Sequence, residues 1–351
     1  MSKPLHLRDL SLARIRSFCK RKLVGIVRPR AARVKNAQAP LPAARLAPHV
    51  TAALAERDAR NAQARKRLRD PGRADWPPVY ADPFPQLTAA VPEIDVADLS
   101  VATMGGAVAH HGLLLVRGLL SPQQVADIRT VQDEIKTASL REQPDTSGWY
   151  MPFKSGGQNE PALRNRAERL GGNWLTDSPL GFPRVLQHLE DAGVIEMISE
   201  HFQECPALSL QKSVLRTVQP NPTITGWHQD GSFLGDKVRA LNVWIALSPC
   251  GGSFPASGLE LIPRRCEDIF TIDPSLGREA ISFDRVEEIK RECPAATPEF
   301  AAGDALIFDE NLLHRTHLEP GLTEIRYALE CWFFAPSHAP PRYTPFLVRL
   351  D

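Results

Sequence analysis

Residues 226–231 read GWHQDG and place a histidine and an aspartate two positions apart. In an extended strand, residues i and i+2 point to the same face. His228 and Asp230 would then project together, while Gln229 would point away. An imidazole nitrogen and a carboxylate oxygen on one face can bind a divalent metal, but the same pair also fits a structural salt bridge. A metal site therefore requires a further histidine from a distant strand.

The segment GDALIFDENLLH supplies such a histidine. Gly303 and Asp304 predict a turn, residues 305–308 predict a strand, and His314 follows an apolar pair. Two histidines and one carboxylate, with coordination positions left open, form the metal site of non-haem Fe(II) oxygenases. His317, three residues further on, is the alternative third ligand.

The elements that would carry these residues are short strands. From about residue 207 the chain consists of apolar or alternating runs separated by Gly and Pro, which is typical of a barrel or sandwich. Residues 95–200 instead predict helices around a buried strand at 113–116, with Ser121-Pro122 as a good helix start. We therefore expect a mainly β fold with flanking helices and a β core at about 205–336.

These residues together resemble the phytanoyl-CoA dioxygenase family of Fe(II)/2-oxoglutarate-dependent dioxygenases. Members carry HxD, then a distal His after a GD-x-L-x-F strand, then an Arg, and Arg326 stands at that last position here. The resemblance covers roughly residues 100–340 and implies a double-stranded β-helix, a cupin-like jelly roll. One departure is that the family's PGSH is PRRC here, at residues 263–266, which could alter substrate contacts.

The resemblance also implies roles for individual residues. His228, Asp230 and His314 would bind the iron, and His314 is favoured over His317 because the family's ligand directly follows the apolar pair. Arg326 would hold the distal carboxylate of 2-oxoglutarate, since its planar fork can donate two parallel hydrogen bonds. The alternative role for Arg326 is a structural ion pair. The cofactors implied are Fe(II), 2-oxoglutarate as cosubstrate, and O2.

Further candidates rest on weaker signals, and each also fits ordinary packing or an ordinary loop. Thr316, two positions past the distal histidine, matches a family residue that helps to bind 2-oxoglutarate. Alternation along a predicted strand would turn Asn242 and Trp244 towards the cosubstrate. Gln211 or Lys212, on an earlier strand, could also reach it. The aromatic, Gly-rich segment SGWYMPFKSGG offers a substrate lid with Trp149, Tyr150 and Lys154.

The implied activity is hydroxylation of an unactivated C–H bond with release of succinate and CO2. Related halogenases carry Gly or Ala at the carboxylate position, so the presence of Asp230 favours hydroxylation. The substrate would be a small molecule or a carrier- or CoA-bound compound, acyl or peptidyl in character. The alternatives are a non-catalytic ligand- or metal-binding protein of the same fold and a cupin-type metal isomerase, and Arg326 argues against both.

Composition excludes several other classes of protein. The sequence has no apolar run long enough to span a membrane, and its six cysteines form no CxxC pair. This cysteine usage predicts a reducing, cytoplasmic location without a disulfide framework. The body has no aromatic-basic pattern of the kind that predicts nucleic-acid binding.

Charge divides the chain into an arm and a body. Residues 1–70 contain 18 Lys/Arg but 4 Asp/Glu, and we expect a flexible basic arm followed by an exposed helix at 51–70. A proline-rich connector at 71–90 leads to a single dioxygenase domain at 91–351. The arm could be a solvated tail, could contact anionic lipid, nucleic acid or another partner, or could be an Arg-rich organelle transit segment.

Overall fold

A computed structural model describes residues 46–68, 76–141, 145–157, 160–220, 226–235, 238–273, 275 and 280–350. The basic arm expected at residues 1–45 lies outside the described residues, and Pro42–Asp351 forms one compact unit. No helix in the described ranges is long and apolar enough to cross a membrane.

Helices and strands alternate in the first half of the described chain, and strands dominate the second half. The helices are α1 (Pro48–Arg67), α2 (Val101–His111), α3 (Pro122–Ser139), α4 (Glu160–Arg169), α5 (Gly181–Asp191), α6 (Val194–Phe202), α7 (Gly231–Leu234) and α8 (Phe283–Glu292). The strands are β1 (Glu93–Asp95), β2 (Leu113–Arg117), β3 (Gly172–Trp174), β4 (Ala207–Val218), β5 (Ala240–Ala246), β6 (Leu259–Leu261), β7 (Ala305–Phe308), β8 (His314–Thr316), β9 (Arg326–Phe334) and β10 (Pro345–Leu347).

The described strands form one large sheet and one small sheet. The large sheet has eight strands in the order β1-β2-β7-β5-β9-β4-β10, with β3 also paired to β4. The small sheet pairs β6 with β8, and an isolated antiparallel bridge joins His228 to His314 beside it. The sheet is larger than the core expected at 205–336, because β1, β2, β3 and β10 add to its edges.

Alternating side chains give the large sheet two different faces. On β5, Leu241, Val243 and Ile245 belong to a hydrophobic cluster shared with the helices. Trp244 points the other way, into a second cluster that includes Trp332 and other aromatic side chains. Helices α2, α3, α5 and α6 therefore cover one face of the sheet. The candidate metal ligands lie on the other, which we call the interior face.

The turn before β7 explains the Gly-Asp pair seen in the sequence. Gly303 has φ +100°, and a Cβ there would lie 2.3 Å from the Leu120 carbonyl oxygen, so only glycine fits. Asp304 accepts hydrogen bonds from the backbone N–H groups of Gly118 and Ala301 (both 2.9 Å). It also pairs with Arg117 (2.7 Å). These contacts fix the start of the strand that leads to His314.

Helix α1 is docked onto the rest of its unit, and is therefore not exposed on all sides as its charge-rich sequence had suggested. Its buried residues, Val50, Arg57, Asn61 and Ala64, lie on one face of the helix. Their polar groups and that of Arg60 donate to backbone carbonyls: Arg57 Nη1 to Met151 (2.6 Å), Arg60 Nη1 to Leu347 (3.0 Å) and Val348 (2.6 Å), and Asn61 Nδ2 to Pro345 (2.7 Å). Long polar side chains can thus bury a helix face that has few apolar residues.

Candidate metal centre

His228 and His314 face each other across an antiparallel backbone bridge. Each backbone N–H donates to the other residue's carbonyl at 3.0 Å, and the ring centroids are 4.5 Å apart. The Nδ1 atoms lie 2.9 Å from the Gly226 carbonyl oxygen and 3.0 Å from that of Leu312, respectively. A carbonyl can only accept, so Nδ1 carries a proton in each ring and Nε2 is the nitrogen left to face a metal. Metal-binding histidines are held in this way.

Burial keeps the second of these rings neutral. Desolvation, with a further contribution from the neighbouring His228, lowers the pKa of His314 to about 4. The imidazole is therefore uncharged at neutral pH, which is the form that binds a metal.

Asp230 supplies a negative charge next to the two histidines. The residue is buried, and desolvation alone would raise the pKa of its carboxyl group. Lys212, His314 and His228 together hold that pKa below its usual range. The Lys212 ammonium lies 3.6 Å from Oδ1 of Asp230. The carboxylate is therefore ionised and already has a cationic neighbour.

The structure brings His228, Asp230 and His314 into one neighbourhood. Within the described ranges, no three His, Cys, Asp or Glu side chains stand close enough together to hold a metal. The His317 ring is turned towards Glu319, with Nε2 3.7 Å from its carboxylate. The ligand set stays a prediction, and its donor types and tautomers fit a divalent metal.

Arg326 is a buried cation at the start of β9. Its Nη1 donates to the carbonyls of Gly258 (2.9 Å) and Ser257 (3.3 Å), while its Nε has no hydrogen-bond partner. The guanidinium lies 5.6 Å from the ring centroid of Trp244. Burial lowers its pKa to about 10, so the group stays charged at neutral pH. No carboxylate of the described residues comes within ion-pairing distance of it, and such a charge favours an anionic ligand.

Three of the other cosubstrate candidates also lie around this interior space. Trp244 contacts Arg326 as described, and Asn242 lies two residues earlier on the same face of β5. The Oδ1 atom of Asn242 is buried without a hydrogen-bond partner. Thr316 shares a face of β8 with His314 and pairs with Leu259 of β6.

Gln211 is engaged elsewhere. Its Oε1 accepts a hydrogen bond from the backbone N–H of Thr344 (3.1 Å) and one from the Ser209 hydroxyl (3.3 Å). These contacts tie it to the segment before β10, whereas the next residue, Lys212, reaches Asp230. The pairing of β4 with β9 shifts in register between Leu208 and Ser213, and this shift lets Gln211 and Lys212 point to different places.

The lid candidates pack against the helix-covered cluster. Trp149 lies under the guanidinium of Arg184 (5.3 Å), and the Tyr150 hydroxyl donates to Glu168 (2.6 Å). Both side chains contact the first hydrophobic cluster, on the face of the sheet opposite the metal ligands. Lys154 is in the same segment and has interactions of its own. A lid function for the three residues stays a prediction.

Several interior residues were missed by sequence reasoning. Arg216 and Glu330 form an ion pair across β4 and β9 (2.8 Å). Trp332 packs on Phe308, which in turn contacts His314 with ring centroids 5.1 Å apart. Period-two spacing from Arg326 along β9 puts residues 328, 330, 332 and 334 on its face, so this signal could have found Glu330 and Trp332.

The PRRC departure puts two arginines in this loop, and both contact other residues of the described chain. Arg264 pairs with Glu292 (2.9 Å). Arg265 pairs with Asp309 and donates to the Val108 carbonyl (3.0 Å). The loop is therefore anchored to α2 and to the end of β7.

The fold has clear relatives among solved structures. EctD from S. alaskensis, whose structure contains 2-oxoglutarate and 5-hydroxyectoine, matches with a TM-score of 0.52 and 15% identity over 80% of this chain and 97% of that chain. AviO1 from Streptomyces viridochromogenes Tue57 (TM-score 0.43, 16% identity, 69% and 98% covered) is also similar. So is the carbocyclase SnoK from nogalamycin biosynthesis (TM-score 0.44, 16% identity, 70% and 87% covered). The likeness to EctD confirms the predicted jelly-roll fold with flanking helices.

Sequence comparison then gives the family. The family model described as phytanoyl-CoA dioxygenase (PhyH) matches residues 108–318, a stretch that includes His228, Asp230 and His314 and ends before Arg326. No curated protein matches the chain. The chain belongs to the phytanoyl-CoA dioxygenase family and is a non-haem iron dioxygenase of the 2-oxoglutarate-dependent type.

Proposed function

We propose that the protein binds Fe(II) through His228, Asp230 and His314, binds 2-oxoglutarate through Arg326, and hydroxylates a C–H bond. In this reaction R–H, 2-oxoglutarate and O2 give R–OH, succinate and CO2. The observation that carries the proposal is the buried guanidinium of Arg326. It has an unpartnered Nε and no carboxylate partner among the described residues, and it lies on the same interior face as the histidine pair.

Each residue contributes a distinct physical effect. The carbonyls of Gly226 and Leu312 orient the two imidazoles so that Nε2 is available, and Asp230 adds the negative charge. When bound, the iron and 2-oxoglutarate activate O2 and supply the oxidant for the C–H bond. The Arg326 fork would hold the distal carboxylate of 2-oxoglutarate with the help of Thr316, and Trp244 limits the movement of that fork.

The substrate class is part of the proposal at a coarse level. A small molecule, or an acyl or peptidyl compound on CoA or a carrier, would enter the interior face beside the metal ligands. A retained carboxylate at Asp230 supports hydroxylation rather than halogenation. The cytoplasm is the proposed location, supported by six scattered cysteines that form no CxxC pair. Contact of the basic arm with anionic lipid or a partner remains a prediction.

Single substitutions test the metal ligands directly. His228→Ala, Asp230→Ala and His314→Ala should each abolish calorimetric binding of Mn(II), used as a stable substitute for Fe(II). With Fe(II), each should also abolish formation of succinate from 2-oxoglutarate. His317→Ala is the matched control and should retain both, because its ring faces Glu319. Loss of metal in His317→Ala with retention in His314→Ala would overturn the ligand assignment.

The non-catalytic alternative makes a different prediction for the unaltered protein. A pure binding protein of this fold would take up iron and 2-oxoglutarate but form no succinate above the rate of the free metal. Succinate formation by the iron-loaded protein that disappears in Asp230→Ala would decide for the dioxygenase.

A further inference from the structure

Lys212 lies beside the metal ligands on the interior face of β4. Its ammonium is 3.6 Å from Oδ1 of Asp230 and 3.7 Å from the ring centroid of Phe233. Phe233 belongs to α7, the short helix that follows Asp230 directly. The contact with the aromatic face restricts the lysine side chain, so its charge has a fixed position next to the metal centre.

The strand register separates this cation from the one proposed to hold 2-oxoglutarate. Val218 pairs with Arg326 at one end of the β4–β9 ladder, and Ser213 pairs with Cys331. At about 3.3 Å per residue, the backbones of Lys212 and Val218 lie roughly 20 Å apart along the strand. The Arg216–Glu330 ion pair stands between them. The two cations therefore serve opposite ends of the interior, and a single five-carbon diacid does not need both.

Two buried polar atoms at the lysine end lack a partner. Trp332 Nε1 can only donate a hydrogen bond and Asn242 Oδ1 can only accept one, and neither has a partner in the described structure. The two side chains are cross-strand neighbours on β5 and β9, and both are almost completely buried. Buried polar groups are normally satisfied, so this pair points to a ligand that offers one acceptor and one donor.

The surroundings of these atoms are apolar and aromatic. Phe308 is the cross-strand neighbour of Asn242, packs against Trp332 with ring centroids 5.8 Å apart, and lies 5.1 Å from the His314 ring. Phe334 stacks on Trp332 at 6.1 Å. A ligand held here would have an apolar body lying next to the metal-binding histidine.

We propose that this end of the interior is the substrate site and that the substrate is a small carboxylic acid with an apolar body and one hydrogen-bond donor. The Lys212 ammonium takes the carboxylate, Trp332 Nε1 donates to an acceptor of the substrate, and Asn242 Oδ1 accepts from its hydroxyl or amino group. This inference rests on the proposed function, because it places the substrate beside the metal ligands. Asn242 is thereby assigned to the substrate rather than to 2-oxoglutarate.

Matched acid and amide probes test the assignment without requiring turnover. The protein is loaded with Mn(II) and saturating 2-oxoglutarate, and paramagnetic relaxation of probe protons reports binding near the metal. The pairs are 4-hydroxyphenylacetate with its primary amide and 6-hydroxyhexanoate with its primary amide. At least one acid should show saturable relaxation enhancement, and its amide should bind on the order of tenfold to a hundredfold more weakly, because a charged hydrogen bond is lost.

Substitutions then connect that charge to one residue. Lys212→Met should weaken binding of the responding acid by about the same factor, whereas Lys212→Arg, which keeps the charge, should weaken it by only a few fold. Lys136→Met is the matched control, since Lys136 is an exposed lysine of α3 on the helix side, and it should bind the acid unchanged.

The outcomes separate this inference from the proposed function. If Mn(II) and 2-oxoglutarate bind but neither acid does, or acid and amide bind equally, or Lys212→Met binds the acid as the unaltered protein does, the carboxylate site is wrong and the dioxygenase assignment stands. The comparison of acid with amide in the unaltered protein decides the matter even if Lys212→Met fails to fold. If Mn(II) does not bind, both proposals fall together.

Discussion

Arg326 carries a buried charge that is solvated by two carbonyls and one aromatic face, with no carboxylate beside it in the described residues. If 2-oxoglutarate supplies the missing anion, Arg326→Ala leaves a buried carboxylate without a partner, which costs about 3–5 kcal/mol. The dissociation constant for 2-oxoglutarate should then rise by about two to three orders of magnitude. Mn(II) binding should survive, since no ligand is touched. Calorimetric titration of 2-oxoglutarate at saturating Mn(II) measures the effect.

Two further variants calibrate that result. Arg326→Lys keeps the charge but loses the two-pronged geometry, so its affinity should fall between the other two. Arg264→Ala removes an arginine from a surface pair with Glu292 and should leave the titration unchanged. An Arg326→Ala protein with unaltered 2-oxoglutarate affinity would make Arg326 a structural residue.

The sequence could predict those residues whose chemistry demands a fixed type at a fixed spacing. His228 and Asp230 are two positions apart, and His314 follows an apolar pair in a strand context, so the sequence marks all three as candidate ligands. The sequence could not decide which of Gln211 and Lys212 points into the interior, because that depends on the register shift in β4. The orphaned indole nitrogen of Trp332 was also invisible, since an apolar aromatic residue in a strand predicts ordinary packing.

At the scale of elements, helix α6 holds the proline-rich connector through a buried histidine. His201 is hydrogen-bonded to the Tyr80 hydroxyl at 3.0 Å and packs edge-on against Trp76. Desolvation lowers the pKa of His201 to about 4 from an ordinary 6.5. Between pH 4 and pH 6.5 the unfolded chain therefore binds a proton at His201 that the folded chain does not bind. The stability that the neutral ring contributes is intact above pH 6.5 and is lost as the pH falls towards 4, at a cost of about 3 kcal/mol.

A non-titrating ring at position 201 should remove this acid sensitivity. His201→Phe keeps the aromatic packing but loses the hydrogen bond to Tyr80, so it should be less stable than the unaltered protein by about 1 kcal/mol at pH 8. Urea unfolding from pH 8 to pH 4.5 should then show the free energies of unfolding of His201→Phe and of the unaltered protein converging and crossing as the pH falls. Parallel curves over that range would show that His201 does not control the loss.

The same scale explains which elements were predictable. Ser121 caps α3 with a reciprocal hydrogen-bond pair to Gln124, a local signal that sequence alone carries. The docking of α1 was hidden, because Arg57, Arg60 and Asn61 read as solvated residues until carbonyls from residues 151 and 345–348 reach them. Contacts this distant along the chain leave no local pattern.

At the scale of the whole molecule, distant segments complete the sheet on which the site is built. Strand β2 pairs with β7 just before the segment that leads to His314, and β10 pairs with β4, which carries Lys212. The strands between residues 205 and 336 were recognisable from their alternation. The pairing of their edges was not, because β1, β3 and β10 are only three residues long.

This architecture predicts where the N-terminus can be cut. Residues 1–45 contain 12 basic residues and one acidic residue with little apolar pattern, a composition that cannot bury a core. A protein lacking residues 1–45 should keep the unfolding temperature and 2-oxoglutarate turnover of the full chain. A protein lacking residues 1–68 also loses α1, uncovers Ala207 and Leu347, and strips donors from the carbonyls of β10.

The unfolding temperature of the protein that lacks residues 1–68 should therefore fall by several degrees, on the order of 2–4 °C for each kcal/mol of stability lost. Differential scanning calorimetry of the two truncated proteins beside the full chain measures the contrast. Turnover of the shorter protein should fall as well, because β10 pairs with the strand that carries Lys212. A collapse of turnover already on removal of residues 1–45 would mean that the basic segment works with the body rather than apart from it.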